Sequence, residues 1–255
     1  MTHVLRRSLI IYAIDDGYFP YKAKSGRCYT LLAMVKYIYE LQNSRLLPLD
    51  VIIDKILVDH DYVELKISRL YREINKREED NFQQLMLLDG ITYAGFNVVN
   101  PIELYQQLGI PIIVFFYKDL DLGKIITSLQ KHFPDYSYRF NIIKTIYSGS
   151  VRLLTKLGEI RVYSQGIDNL RILRSTIESM QLYSRTPEPL RVAHIIASTL
   201  SRSLYMLNHS ILCPKIPHDI CLWCGGWDFN PRRPTPSGPE PDPFVLARAP
   251  PHQFK

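Results

Sequence analysis

The chain has 255 residues, of which 46% are hydrophobic and 22% are charged, and its formal net charge is +6 at pH 7. This composition excludes a mostly disordered chain, a collagen and a small protein stapled by disulfides. The sequence holds no run of roughly 20 apolar residues, the length that a membrane span requires. We therefore expect a cytoplasmic protein without membrane contact, and the positive charge favours a polyanionic partner such as nucleic acid.

Apolar runs in the first part of the chain predict strands, and one periodic segment predicts a helix. An uninterrupted apolar run that ends in Asp or Gly is typical of a buried strand that meets a turn. We expect strands at Leu9–Ile14, Tyr29–Tyr39, Val51–Val58 and Leu85–Leu88, and a helix over Tyr62–Lys76.

The rest of the folded part alternates strands with helices. Pro101 suits the first turn of a helix that ends at Leu108, with Gly109 as its cap. Further strands are expected at Ile112–Tyr117, around Arg139–Ile146 and over Val151–Tyr163, and further helices at Leu122–His132, Asp168–Leu182 and Pro189–Leu207. Strands followed by alternating strands and helices predict an α/β fold with a mixed sheet flanked by helices.

The composition changes sharply near residue 208. Ten of the 17 prolines lie between Pro214 and Pro251, and proline at that density cannot form a helix or a sheet. We expect residues 1–208 to form one folded domain and residues 209–255 to form a disordered tail. The string WDFNPRRP in this tail is similar to translations of the strand opposite a tRNA gene, which favours a readthrough extension without a selected function.

The tail also carries side chains that bind zinc in other proteins. These are His209, Cys213, His218, Cys221 and Cys224. Cys221 and Cys224 have the local spacing of a zinc site, but no second well-spaced pair follows and proline crowds the region. We therefore do not predict zinc.

Three acidic clusters each follow an apolar strand. Asp15 and Asp16 follow LIIYAI, Asp59 and Asp61 follow ILV, and Asp89 follows LMLL. Ligands of open α/β sheets bind at the carboxyl ends of the strands, and Mg²⁺ prefers oxygen ligands such as carboxylates. The clusters therefore predict a metal site, although Asp also serves in turns and helix caps, and that alternative stays open for each residue.

Several motifs carry a resemblance to a known family. They are LDGITYAGFNVVNPIELYQQLGIPIIVFFYK at 88–118, IDDGYF at 14–19, VDHD at 58–61 and TPEPLRVAHIIAS at 186–198. Together they resemble an archaeal family that is related to endonuclease V and includes proteins named endonuclease dU. The resemblance spans about residues 8 to 203. It implies a ribonuclease H-like fold with a five-stranded mixed sheet, in which the first strand lies beside the fourth.

The resemblance also implies a set of metal ligands. Asp15 and Asp89 match the metal-binding aspartates on the first and fourth strands, and they would bind Mg²⁺ or Mn²⁺. Asp61 is the first choice for the third ligand, with Asp59 close by and Glu64 as a further candidate. Asp16 would either support these ligands without touching the metal or form a tight turn. Where endonuclease V has a histidine after its Ser-x-Gly motif this chain has Ile167, which favours an altered base preference or altered catalytic assistance.

The segment after Asp89 is the candidate substrate-binding loop. Gly90 and Gly95 allow a close approach of the backbone to a ligand. Tyr93 and Phe96 are candidates to stack on an extruded base, and Asn97 is a candidate to bind its edge. The alternative is that both aromatic rings belong to the core.

Two further side chains on the last helix are candidates for the site. Arg191 is a candidate phosphate contact, against the alternative of a solvated surface arginine. His194 lies on a mostly apolar helix, so packing is favoured over a role as a ligand.

The resemblance implies a metal-dependent endonuclease that cleaves DNA at a deaminated base, with deoxyuridine as the first choice of substrate. A second hypothesis keeps the nuclease and changes the substrate to inosine-containing DNA or RNA. A third is a nucleic-acid-binding module that lost its metal. The sequence indicates no obligate protein partner.

Overall fold

The structure is a computed structural model that describes residues 8–20, 28–60, 63–75, 82–207 and 209–213. Its strands are β1 Ser8–Asp16, β2 Tyr29–Glu40, β3 Arg45–Leu57, β4 Gln83–Leu88, β5 Thr92–Tyr93, β6 Asn97–Val98, β7 Ile112–Phe116, β8 Val151–Thr155 and β9 Gly158–Gln165. Its helices are α1 Val63–Ile74, α2 Pro101–Leu108, α3 Leu122–His132, α4 Tyr136–Ser148, α5 Leu170–Met180, α6 Glu188–Leu207 and α7 His209–Leu212.

The main sheet is mixed, with the strand order β3-β2-β1-β4-β7-β9-β8. β1 is antiparallel to β2 and parallel to β4, and β4 is parallel to β7. This confirms the predicted α/β class and the predicted contact between the first and fourth strands. The sheet has seven strands rather than five, because β9 adds to the edge of β7 and carries β8 with it.

Helices cover both faces of this sheet, which explains why its central strands are continuous apolar runs. Ile10, Tyr12 and Ile14 of β1 pack in a core with residues of α1 to α4, whereas Ile11 and Ala13 pack with residues of α5 and α6. No helix among the residues that the structure describes is long and apolar enough to cross a membrane.

One predicted strand was wrong. The segment Arg139–Ile146 belongs to helix α4, where Arg139, Ile142, Ile143 and Ile146 are the buried residues. Spacings of three and four place these side chains on one face of a helix. Its β-branched residues suggested a strand, but the periodicity decides the structure.

Packing continues a few residues beyond the predicted domain end at 208. Cys213 forms a disulfide with Cys28, and both are buried in a small cluster with Tyr205 and Leu212. This bond removes Cys213 from the zinc-like set. Cys221, Cys224 and the proline-rich segment lie outside the described residues, so the predicted tail stays a prediction.

Candidate active site

Asp15 and Asp89 lie at the ends of two adjacent parallel strands. Ile14 of β1 is the partner of Leu88 of β4, and the Asp89 amide donates to the Ile14 carbonyl oxygen at 3.3 Å. Neighbouring strands are about 4.8 Å apart, so the two aspartates occupy adjacent positions on neighbouring strands. Both are buried, with exposed fractions of 0% and 4%. Strand alternation assigns both to the face that α5 and α6 cover.

The carboxylate of Asp15 is held from two sides. Its Oδ2 lies 2.7 Å from Nδ1 of His194 on α6, and its Oδ1 accepts the amide of Asp16 at 2.9 Å. A buried charge is costly unless it is paired and hydrogen-bonded. The Asp16 amide supplies a hydrogen bond to Asp15, and a protonated His194 ring supplies a paired charge. His194 keeps 26% of its side chain exposed, so the pair lies at the boundary between the core and solvent.

Close packing of α6 against the end of β1 brings His194 to Asp15. The Tyr18 amide donates to Oγ of Ser201 at 2.6 Å, and a methyl group on Gly17 would collide with Ser201 and the Ala197 carbonyl. Sequence reasoning favoured a packing role for His194 and missed this contact. The available signal was the run of small residues Ala193, Ala197 and Ser201, because small side chains at a spacing of four allow a helix to lie close to its neighbour.

A short hairpin follows Asp89. It consists of β5, the turn Ala94–Phe96 and β6. Oδ2 of Asp16 accepts the Ala94 amide and Oδ1 of Asp59 accepts the Phe96 amide, each at 2.9 Å. The sequence predicted that Asp16 and Asp59 lie near a metal. In the structure, both carboxylates bind the backbone of this turn.

The hydroxyl of Tyr93 lies among the acidic residues. Burial raises the pKa of Tyr93 well above its usual value, and the charges of Asp89, Asp15 and Asp16 raise it further. A phenol in these surroundings stays protonated. The charges of Asp15, Asp16 and Asp89 therefore all act on this one buried phenol, and the convergence of the three acidic clusters on a metal stays a prediction.

The candidate base-binding side chains are buried in this conformation. Tyr93 is 0% and Asn97 1% exposed, and the Asn97 amide group donates to the Leu57 carbonyl at 2.8 Å. Phe96 packs edge-on against Phe133. Space is open instead beside Gly90, whose φ of 94° lies in the left-handed region. Gly90 is therefore more accessible to a ligand than the rings of Tyr93 and Phe96.

Other predicted site residues have partners of their own. Arg191 forms a bidentate ion pair with Glu188, with nitrogen–oxygen distances of 2.6 and 2.7 Å. Glu64 accepts the Asn100 amide at 2.8 Å, and burial raises the pKa of Glu64. Asp61 lies outside the described residues.

The pair Asp15 and Asp89 fits a hard divalent cation. Among the described residues no group of three or more His, Cys, Asp or Glu side chains is arranged to hold a metal ion. Mg²⁺, however, is usually bound by one or two carboxylates, with water and substrate phosphate as its other ligands. Two buried carboxylates at neighbouring strand ends are such a donor set.

The sequence and the fold both match known proteins. The family model of Endonuclease dU matches residues 7–201. A UPF0215 protein from Sulfurisphaera tokodaii is 33% identical over 206 residues, which cover 80% of this chain and all of that relative. A UPF0215 protein from Pyrococcus furiosus is 30% identical over 79% of this chain and 97% of its own length.

One solved structure shares the fold. A protein of unknown function from Archaeoglobus fulgidus aligns with a TM-score of 0.57 and 18% identity, over 75% of this chain and 98% of its own. At that identity the likeness establishes the fold alone. The family match covers most of the folded part and both strand-end aspartates, so the chain belongs to the endonuclease dU family.

Proposed function

We propose that this protein is a cytoplasmic, metal-dependent endonuclease that cleaves DNA at or near a deaminated base, with deoxyuridine as the preferred substrate. The observation that carries the proposal is the buried carboxylate of Asp15, which His194 holds beside Asp89 at the ends of two parallel strands. A buried acidic pair is costly to a fold and is common where a protein performs chemistry.

In this proposal Asp15 and Asp89 hold Mg²⁺ or Mn²⁺, and Asp61 is the proposed third ligand. The metal, when bound, polarises the phosphodiester and lowers the pKa of a water molecule. The imidazole of His194 fixes the orientation of the Asp15 carboxylate and supplies a hydrogen bond to it. Burial and the neighbouring acidic charges raise the pKa of Tyr93, so its hydroxyl stays protonated in this site.

The hairpin that follows Asp89 is the proposed recognition element. In this proposal an extruded base approaches beside Gly90, where no atom other than those of its chain neighbours lies within 4 Å of the position that a Cβ would take. Extrusion costs a few kcal/mol and least at a mismatched or damaged base, which itself gives selectivity. The net charge of +6 attracts DNA phosphates, so binding weakens as salt rises. Arg191 joins this contact only if a phosphate replaces Glu188 as its partner.

The test is a cleavage assay on oligonucleotides that contain deoxyuridine, inosine or no damage, each with Mg²⁺, Mn²⁺ or EDTA. Wild-type protein should nick the deoxyuridine strand with metal and not with EDTA. Asp89→Ala should lose at least about 100-fold of this activity, since it removes a ligand of the activating metal. Asp50→Ala is the matched control, because Asp50 is exposed on β3.

Three other outcomes of the cleavage assay would change the proposed function. Equal cleavage by the wild type and Asp89→Ala ends the catalytic assignment. Preference for the inosine strand keeps the nuclease and changes its substrate. Metal-independent binding of DNA without cleavage identifies a binding module instead.

A further inference from the structure

Charged side chains from three separate parts of the chain hold the turn Ala94–Phe96. Asp16 at the end of β1 accepts the Ala94 amide. Asp59, after β3, accepts the Phe96 amide and donates its own amide to the Ala94 carbonyl. Arg139 of α4 donates to the Phe96 carbonyl. Both backbone groups of Phe96 are therefore bound to charged side chains.

Arg139 is itself fixed in place. Its exposed fraction is 6%, its Nε pairs with Asp135 at 2.9 Å, and its guanidinium lies 4.6 Å from the ring centre of Phe133. Phe133 in turn packs against Phe96. A buried guanidinium needs such partners to offset its lost hydration, so α4 contacts the turn through a rigid set of groups.

The conformation of the turn is one that ordinary residues disfavour. Ala94 has a φ of 46° and Asp59 has a φ of 56°, and few residues other than glycine adopt positive φ. Gly95 cannot carry a side chain, because a methyl group there would collide with Oδ1 of Asp59. Such conformations persist only where the surroundings determine them strongly, and they cluster at functional sites.

We propose that Asp59 and Arg139 are positioning residues that lock the turn Ala94–Phe96 in the hairpin that follows Asp89, the proposed recognition element, so that this hairpin discriminates a deaminated base from a normal one. This inference rests on the proposed function. It assigns Asp59 to the turn, where its Oδ1 and its amide already bind backbone groups, rather than to the metal. Loosening the turn then weakens base selection and leaves the metal requirement unchanged.

Asp59→Asn and Asp59→Ala separate the two roles of Asp59. Asparagine keeps an oxygen that accepts the Phe96 amide but lacks the charge of a metal ligand. We expect Asp59→Asn to remain within about three-fold of the wild type, and Asp59→Ala to raise KM about ten-fold with a lower preference for the damaged strand. The Mg²⁺ concentration for half-maximal activity stays unchanged in both. Asp54→Asn on β3, whose partner is Lys66, is the control.

Two kinetic results for Asp59 overturn its assignment to the turn. Equal loss of activity in Asp59→Asn and Asp59→Ala, with a higher Mg²⁺ requirement, makes Asp59 a metal ligand. Unchanged KM and selectivity in Asp59→Ala leave it without a positioning role. Arg139→Lys keeps the charge but loses the planar guanidinium that binds Asp135 and the Phe96 carbonyl through separate nitrogens, and it should raise KM as Asp59→Ala does. An unchanged KM in Arg139→Lys removes Arg139 from the proposal.

Amide hydrogen exchange of Phe96 gives a readout that does not depend on cleavage. Exchange should be faster in Asp59→Ala than in the wild type and restored in Asp59→Asn. If the wild type cleaves nothing, the proposed function fails while this measurement still decides whether Asp59 holds the turn. Equal exchange in all three proteins contradicts the positioning role.

Discussion

The Nδ1 atom of His194 lies 2.7 Å from Oδ2 of Asp15, although 179 positions separate these residues in the chain. The contact joins the last long helix of the described chain to its first strand, at the point where β1 meets β4. It places an imidazole ring against a fully buried carboxylate. The orientation of Asp15 therefore depends on how α6 packs.

Replacement of His194 should reduce activity without abolishing the fold. Groups that orient a metal ligand typically account for about 10 to 100-fold in metal affinity or activity, so we expect a loss of that size in His194→Ala. His194→Asn should recover part of it, because its amide nitrogen replaces the donor at Nδ1. Steady-state kinetics across a Mg²⁺ titration measure both effects. His132→Ala at the exposed end of α3 is the control, and a wild-type rate in His194→Ala would refute the role.

Gly17 should be intolerant of a side chain because α6 lies directly against it. Gly17→Ala places a methyl group into the Ala197 carbonyl and the Ser201 side chain. Overpacking of this kind costs about 1–3 kcal/mol in the free energy of unfolding, and the displaced helix carries His194. Thermal unfolding should show the lower stability and the cleavage assay a lower kcat. Gly123→Ala in α3, which meets only Asp121 at 3.4 Å, should lower neither value, because alanine favours a helix over glycine; equal losses in the two variants contradict this packing.

Local patterns in the sequence were sufficient to predict much of the fold. Helix α2 matched its prediction at both ends, because Pro101 starts it and Gly109, with φ of 70°, ends it. The strands that precede Asp15 and Asp89 were also found, since a buried strand is a continuous apolar run.

What the sequence could not predict depends on contacts between distant segments. Strand structure over Val151–Tyr163 was predicted, but not its division into β8 and β9 or the pairing of β9 with the edge of β7, because these depend on topology. The roles of His194 and Asp59 depend on which backbone or carboxyl group lies opposite them, and no local pattern encodes that partner. The error in α4 has a different cause. The helical spacing of its buried residues is a local pattern, but the prediction gave more weight to its β-branched residues.

Glu64 should make the protein less stable as the pH rises. Burial raises the pKa of its carboxyl above the value in the unfolded chain. The stabilising contribution of the protonated carboxyl to the free energy of unfolding is therefore fully present below the pKa that Glu64 has in the unfolded chain. It is lost as the pH rises through the higher pKa of the folded protein. Glu64→Gln stays neutral and keeps an acceptor for the Asn100 amide, so its stability should exceed that of the wild type by more at pH 7 than at pH 4.

Denaturant unfolding at several pH values measures this difference. Glu159→Gln is the control for the substitution, because Glu159 is exposed on β9 and is not among the groups that shift the pKa of Glu64. A constant difference between Glu64→Gln and the wild type from pH 4 to pH 7 contradicts the assignment. Cleavage by Glu64→Gln should match the wild type, and its loss would instead identify Glu64 as a ligand of the metal.

The disulfide between Cys28 and Cys213 should stabilise the fold by joining the start of β2 to the end of the described chain. It spans a sequence separation of 185 residues, and closing a long loop restricts the unfolded chain most, with a typical effect of about 2–4 kcal/mol. Cys213→Ser and reduction by dithiothreitol should lower the unfolding midpoint by similar amounts. Because the two sulfur atoms are bonded to each other, alkylation of the native protein without a reductant should modify neither cysteine.

The double variant Cys221→Ser with Cys224→Ser is the control for this prediction. It leaves the Cys28–Cys213 bond intact, so its stability should fall on reduction as much as that of the wild type. Cleavage should survive the loss of the bond, since Asp15 and His194 are held by the packing of Gly17 against Ser201 rather than by the disulfide. If reduction leaves the unfolding midpoint of the wild type unchanged, the disulfide does not stabilise the fold. Burial of Tyr205 and Leu212 then holds helix α7 in place without it.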